Sequence, residues 1–227
     1  VKKIDFVNFF IRKVKNKMNQ IKISDALKYA ESLEGIPFRW FVPGETLFKG
    51  DDAFWCENSP APSAEEIKAQ DKSIVCTGLP NLMRRFCGLT IPGLGKEMRG
   101  KFKEDFKACP GGTGTWYSYL RQNKRIEKLD MSRRYPKGTL LIARFKGFNK
   151  DQGHLAVIFD DVDESKTIND QVIVHATCSV AYTEINNHKD HGSVKIEPFR
   201  VSNELYRFDK ISYYKFVCLP ENWLNMD

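Results

Sequence analysis

The strongest constraint on this chain is a change in the period of its apolar residues. Helical spacing dominates the first half, and short β-branched runs dominate after Gly138. Near the N-terminus Ile4, Val7, Phe10, Ile11, Val14 and Met18 recur every three or four residues, with Lys and Arg over much of the remaining surface. This spacing predicts a basic amphipathic helix. Packing on the domain is its first destination, ahead of a membrane surface or a partner.

A second helix is expected to take Ser24 as its N-cap, run through Asp25-Ala-Leu-Lys-Tyr-Ala-Glu-Ser-Leu33 and stop near Gly35. Residues 36–50 are turn-rich and aromatic. From Asp51 to Asp71 the chain turns polar around Asn58-Ser-Pro-Ala-Pro-Ser63, which reads as a surface loop with a short helix at Ala64 to Ala69. Leu79, Leu82, Met83, Phe86 and Cys87 predict a third helix ending at Gly88. The stretch from Thr90 to Tyr135 has little periodicity and reads as irregular. Its Gly111-Gly-Thr-Gly114 run lacks the flanking strand, helix and Lys of a phosphate loop.

Strand character follows in Thr139 to Phe145, His154 to Phe159, Gln171 to Ala176, Ser193 to Glu197 and Tyr213 to Leu219, separated by polar turns. Helices followed by a meander of strands predict the α+β class, with N-terminal helices packed on a mostly antiparallel sheet. The 227 residues fit one domain, 1–227, with an N-terminal helical extension at 1–23 and a polar insertion at 51–71.

Charge and cysteine usage narrow the chemistry without selecting it. The 36 Lys and Arg against 29 Asp and Glu give a net charge of +7, which favours anionic partners such as cell-wall polymer, nucleic acid, acidic protein or a membrane surface. The basic groups at Arg12 to Lys22 and Arg121 to Arg134 carry no zinc or RNA-binding motif, so nucleic acid is not the leading partner. No apolar run approaches the roughly 20 residues of a bilayer span, so no integral membrane segment is expected. Cysteines at 56, 76, 87, 109, 178 and 218 form no CxxC pair, against a structural zinc site and a disulfide-dense scaffold. A reducing compartment is the simpler expectation. No cleavable leader is read in the first residues, where Asp5 and Asn8 interrupt the apolar run; the chain opens at Val1, so a removed leader stays open.

Three residues carry the candidate chemistry. Cys76 precedes Thr77-Gly-Leu79 at the start of the third helix, where unpaired N–H groups and the helix dipole favour a thiolate. Pro80 marks the same helix start. With Cys76 as N-cap, Pro80 would fall one place past the first turn, so either the helix begins at Thr77 or one early bond is missing. His154 opens one apolar strand and His175 closes another, and neighbouring strands lie about 5 Å apart. A nucleophilic thiol needs such a pair: His154 to take the thiol proton and return it to the leaving group, His175 to hold the first imidazole through its other nitrogen. The same residues also read as a small buried hydrophobe and two satisfied strand histidines. One Cys and two His could ligate zinc, but no closely spaced ligand pair supports this, and neither His188, His191 nor a carboxylate stands out as a fourth ligand.

The ordered pieces Cys76-Thr-Gly-Leu79, Gly153-His-Leu-Ala-Val-Ile158 and Val174-His-Ala176 resemble the cysteine, histidine and second-histidine blocks of the NlpC/P60 family of papain-like cysteine peptidases. Glu34-Gly-Ile-Pro-Phe-Arg-Trp40 resembles that family's Gly-x-Pro-Tyr-x-Trp segment, and Tyr135-Pro-Lys-Gly-Thr-Leu-Leu141 its turn before the first core strand. The resemblance spans about Ala26 to Val180. It implies a papain-like fold and a thiol hydrolase that cleaves amide or peptide bonds, bacterial cell-wall peptides first, through a Cys76-His154-His175 triad. The Cys76 N–H would supply one oxyanion donor, Phe38, Trp40, Val75 and Thr77 would line the substrate cleft, and no metal or organic cofactor is implied.

Departures from the family pattern keep two other functions in view. Val75 stands where the family usually has Asp, Phe38 where it often has Tyr, and the 51–71 interval is longer than usual. A papain-like acyltransferase acting on lipid or amine, and a catalytically degenerate binding or structural protein, are the alternatives.

Overall fold

A computed structural model describes residues 22–38, 55, 57, 59–94, 111–144, 153–160, 167–177, 192–205 and 213–224. The helix expected from Ile4 to Met18, Trp40, and residues 51–54, 56 and 58 of the polar insertion lie outside them. The architecture is α+β, with helices set against an antiparallel sheet.

Helix α1 covers 22–32 and buries Ile23, Ala26, Leu27 and Ala30 on one face, with Leu33 just beyond. Ser24 therefore lies inside the helix and is not its cap. Burial of Ile23 one residue earlier outweighs the capping preference of Ser24. The chain leaves α1 through Gly35 at φ +80°, and the Gly35 N–H donates to the Val194 carbonyl.

Helix α2, Ala64–Ala69, stands where the sequence places it, closed by a capping box between Ser63 and Glu66. Helix α3, Gly78–Phe86, is buried along nearly its whole length. Its N-cap is Thr77, so Pro80 is the third helical residue, whose missing N–H costs no intrahelical bond. This resolves the difficulty at Pro80, and Cys76 sits one residue before the cap.

Helix α4, Thr113–Gln122, occupies a stretch that reads as irregular from sequence. Strand-favouring Thr, Tyr and Trp dilute its period, but Trp116 and Leu120, one turn apart, are both fully buried. Gly111 takes φ +72° ahead of the Gly112 N-cap, and its carbonyl accepts from Asn81 Nδ2 at 3.2 Å. Asn81 Oδ1 in turn accepts from Trp116 Nε1 at 2.8 Å. One buried amide thus ties α3 to the head of α4.

The strands are β1 (Glu127–Lys128), β2 (Leu140–Arg144), β3 (Gly153–Ile158), β4 (Val172–Thr177), β5 (Ser193–Pro198) and β6 (Phe216–Cys218). They form one sheet in the order β1-β6-β2-β3-β4-β5, every described pair antiparallel. The last expected strand, Tyr213 to Leu219, contracts to three residues. Besides α4, strand β1 and helix α5 at Phe199–Leu205 fall outside the sequence reading.

Strand alternation divides the core. Leu140, Ile142, Leu155, Val157, Val174, Ala176 and Val194 pack with α1, α3 and α4 on one face. Leu141, Ala143, Ala156, Ile158, Ile173 and Val217 pack on the other with Phe199, Tyr213 and Tyr214. Among the described residues no helix is long and apolar enough to cross a membrane.

Candidate active site

Cys76 belongs to the first core and is 7% exposed. Its approach is set by the segment after α1: Phe38 pairs with Ile74 in a parallel bridge, and its N–H donates to the Gly192 carbonyl at 2.7 Å. Phe38, Val75 and Thr77 are all buried near the thiol's end of α3, the first with its ring in the same core. The described part of the insertion is tied to the last turn of α3 and to α1. Arg85 Nε donates to the Ser59 carbonyl and Nη2 to Pro60, while the Tyr29 hydroxyl donates to Pro62.

The thiol donates to the Gly153 carbonyl, with Sγ 3.8 Å from the oxygen. The N–H groups of Leu155, Thr77 and Cys76 and the Thr113 hydroxyl also act on the sulfur, each favouring its ionised form. Burial outweighs them and pushes the thiol up to about 11. The resting group is a neutral thiol.

Register explains why main-chain groups of β3 reach the sulfur. The Ile158 N–H donates to Thr139 and its carbonyl accepts from Gly138, so the peptide groups of Ile158 face β2. Alternation turns those of Gly153, Leu155 and Val157 toward β4. The β3–β4 ladder, however, pairs only Val157 with Val174 and Ile158 with Ile173. At the start of β3 the two strands part, and Cys76 supplies partners to Gly153 and Leu155 there.

His154 and His175 come together on the opposite side of the same seam. His154 Nε2 is 2.9 Å from His175 Nδ1, with the rings edge to face at 5.1 Å between centroids. His154 is 4% exposed and packs against the Tyr213 and Tyr214 rings of the second core, at 5.8 and 6.0 Å. The structure therefore joins the two histidines directly. It seats the thiol against the peptides on either side of His154.

The chain of contacts extends to a residue the sequence reading missed. His175 Nε2 lies 2.9 Å from Glu197 Oε1. On β5, Glu197 pairs with Ile173 and Lys195 with His175, so both charged side chains share the histidine face. Burial keeps both imidazoles below their usual range, His154 well below it with added repulsion from His175. Glu197 opposes that shift in His175 by hydrogen bond and charge, while Lys195 reinforces it. The His175 contact holds the Glu197 carboxyl below its usual range. At neutral pH the outer contact is thus a neutral imidazole donating to a carboxylate.

Thr113 is the second residue sequence reasoning missed, because it depends on α4. Glu197 left a faint signal: Ser193-Val-Lys-Ile-Glu197 alternates polar and apolar, placing Lys195 and Glu197 on one face. Which residue of β4 it meets is a matter of register. Among the described residues no group of three or more His, Cys, Asp or Glu side chains is arranged to hold a metal ion. A cavity of about 200 Å³ lies between the insertion and α3, bordered by Glu66 and Arg85, and is lined by none of Cys76, His154 and His175.

No protein-family model, no curated protein and no solved structure matches the chain.

Proposed function

We propose that the protein is a thiol hydrolase of amide or peptide bonds, with Cys76 as nucleophile, His154 as base and then acid, and His175 as the group that holds His154. The observation that carries this reading is the shared seam: the thiol lies against Gly153 and Leu155, while His154 between them is hydrogen-bonded to a second buried imidazole. Buried polar chains cost desolvation unless every member is paired, and two buried imidazoles on adjacent strands, continued to Glu197, suit a proton relay better than a packing role.

In this reading the neutral thiol rotates from the Gly153 carbonyl toward Nδ1 of His154 as substrate enters. Sγ forms a bond to the substrate carbonyl carbon while its proton passes to His154, which then protonates the leaving amine. Water opens the thioester and restores the thiol. The N–H groups of Cys76 and Thr77 at the head of α3 stabilise developing negative charge. Peptides of an anionic cell wall are the leading substrate, on the family resemblance and the net charge of +7.

A structural role for Cys76 is the second reading, favoured by its burial, its raised pKa and its bond to a main-chain carbonyl. Iodoacetamide labelling of the native protein, read by peptide mass spectrometry, separates the two. A hydrolase labels at Cys76 near neutral pH, at least tenfold more slowly in His154→Ala. Labelling of Cys76 only after unfolding favours the structural role. Release of amine from wall-derived peptides, absent in Cys76→Ala, then tests the substrate class.

A further inference from the structure

We propose that Glu197 is a positioning residue of this site, fixing through His175 which ring nitrogens carry protons so that His154 Nδ1 presents a lone pair to the thiol. The chemical use of that lone pair rests on the thiol hydrolase reading; the proton order itself rests on the two 2.9 Å contacts.

The proton order is set inward from the charge. A carboxylate only accepts hydrogen bonds, so His175 Nε2, 2.9 Å from Glu197 Oε1, carries a proton. A neutral imidazole has one donor and one acceptor, which leaves the lone pair of His175 on Nδ1. That atom is 2.9 Å from His154 Nε2, which must therefore donate. His154, neutral in turn, keeps its own lone pair on Nδ1. One carboxylate at the edge of the site orders two buried rings.

Neither ring selects this order alone. In the reverse arrangement His175 Nδ1 donates to His154 Nε2, and His154 Nδ1 becomes an N–H that cannot take a proton from sulfur. The pair of rings is satisfied equally well in both directions. The charged group beside Glu197 is Lys195, directly across from His175, and an ammonium cannot accept. The rings of Tyr213 and Tyr214 pack against His154. Glu197, an obligate acceptor 2.9 Å from His175 Nε2, breaks the symmetry. The same carboxylate, acting through His175, stabilises the imidazolium that His154 becomes once Sγ has transferred its proton to Nδ1.

Side-chain nitrogen-15 NMR reads the proton positions independently of any activity. The wild type is expected to hold His154 and His175 both as Nε2–H tautomers at pH 7. Glu197→Lys replaces an obligate acceptor with an obligate donor and should turn both rings to Nδ1–H. Glu197→Gln, of nearly the same shape but able to accept or donate, should give both tautomers together, and decides the matter where the Lys variant does not fold. Persistence of the wild-type pair, unmixed, in the folded variants overturns the assignment. Iodoacetamide labelling of Cys76 in the same samples is expected to slow at least tenfold in Glu197→Lys. Should the tautomers follow residue 197 while native wild-type Cys76 resists labelling, the positioning role stands and the hydrolase reading falls.

Discussion

The two faces of β3 solve different problems with one strand. On the thiol face Cys76 is set in an apolar core, and its polar contacts come from main-chain groups and one hydroxyl. On the histidine face two imidazoles and a carboxylate satisfy one another in sequence, against an aromatic floor. The first arrangement depends on backbone position, which a single extra methyl can upset. The second depends on proton order, which a change of charge can upset while packing survives. The two faces should therefore fail under different perturbations.

The largest expected effect breaks the thiol face. Gly153 has no room for a side chain: a methyl there would overlap the Ala143 carbonyl oxygen and lie 2.6 Å from Thr113 Cγ2. Both neighbours are held, one in β2 and one in the first turn of α4. Gly153→Ala should cost about 3 kcal/mol in urea unfolding, as overpacking of a rigid site does. The shift should also displace the carbonyl that accepts the thiol. An unchanged unfolding midpoint would mean that β2 and α4 yield easily, and that the thiol's seat is not rigid.

The next effect sets the faces against each other in pH. Free imidazole titrates near 6.5, and both histidines fall below that in the fold, so the unfolded chain binds more protons as pH drops. Their contribution is complete above about 6.5 and lost below it. Glu197, also lowered, extends the loss through the carboxylate range. Cys76 has the opposite sign: raised to about 11, its contribution is complete below the ordinary thiol value and lost as pH climbs toward 11. Cys218, raised to about 12 in the same core, adds to that limb. By pH 10 the alkaline loss from Cys76 should be on the order of 1 to 2 kcal/mol. In unfolding free energy measured across pH, His154→Phe should make only the acid limb shallower, and Cys76→Ala only the alkaline limb. If both variants alter the same limb, the separation of the faces is wrong.

The sequence carried this comparison unevenly. Period located α3 and the central strands, because Leu79, Leu82 and Met83 or Leu155 and Val157 repeat at spacings set by local geometry. Residue type, place at the ends of elements and the family resemblance singled out Cys76, His154 and His175. Three things escaped the sequence reading, each for a physical reason. Helix α4 is held by contacts distant in sequence, above all Asn81 to Trp116, which no window of neighbouring residues contains. The Glu197 contact follows from the β4–β5 register, which pairs residues 24 apart at Ile173 and Glu197. The seating of the thiol against Gly153 follows from the short β3–β4 ladder, a property of two strands and not of either motif.

The smallest expected effect sharpens the comparison at its closest point. Thr113, at the first position of α4, is buried and directs its hydroxyl to the Cys76 sulfur, favouring the thiolate. Thr113→Val keeps the shape and removes that hydroxyl. The lost hydrogen bond should cost about 1 kcal/mol or less in stability. It should raise the thiol further, so that iodoacetamide labelling of Cys76 at pH 8 slows about threefold and its pH dependence moves to higher pH. Because the change falls on the thiol face, the tautomers of His154 and His175 should stay as they are. Slower labelling with unchanged tautomers would establish that nucleophile and relay are tuned separately, through groups on opposite sides of one strand. A tautomer change in Thr113→Val would instead show that the seam between β3 and β4 transmits the disturbance, and that the two faces act as one unit.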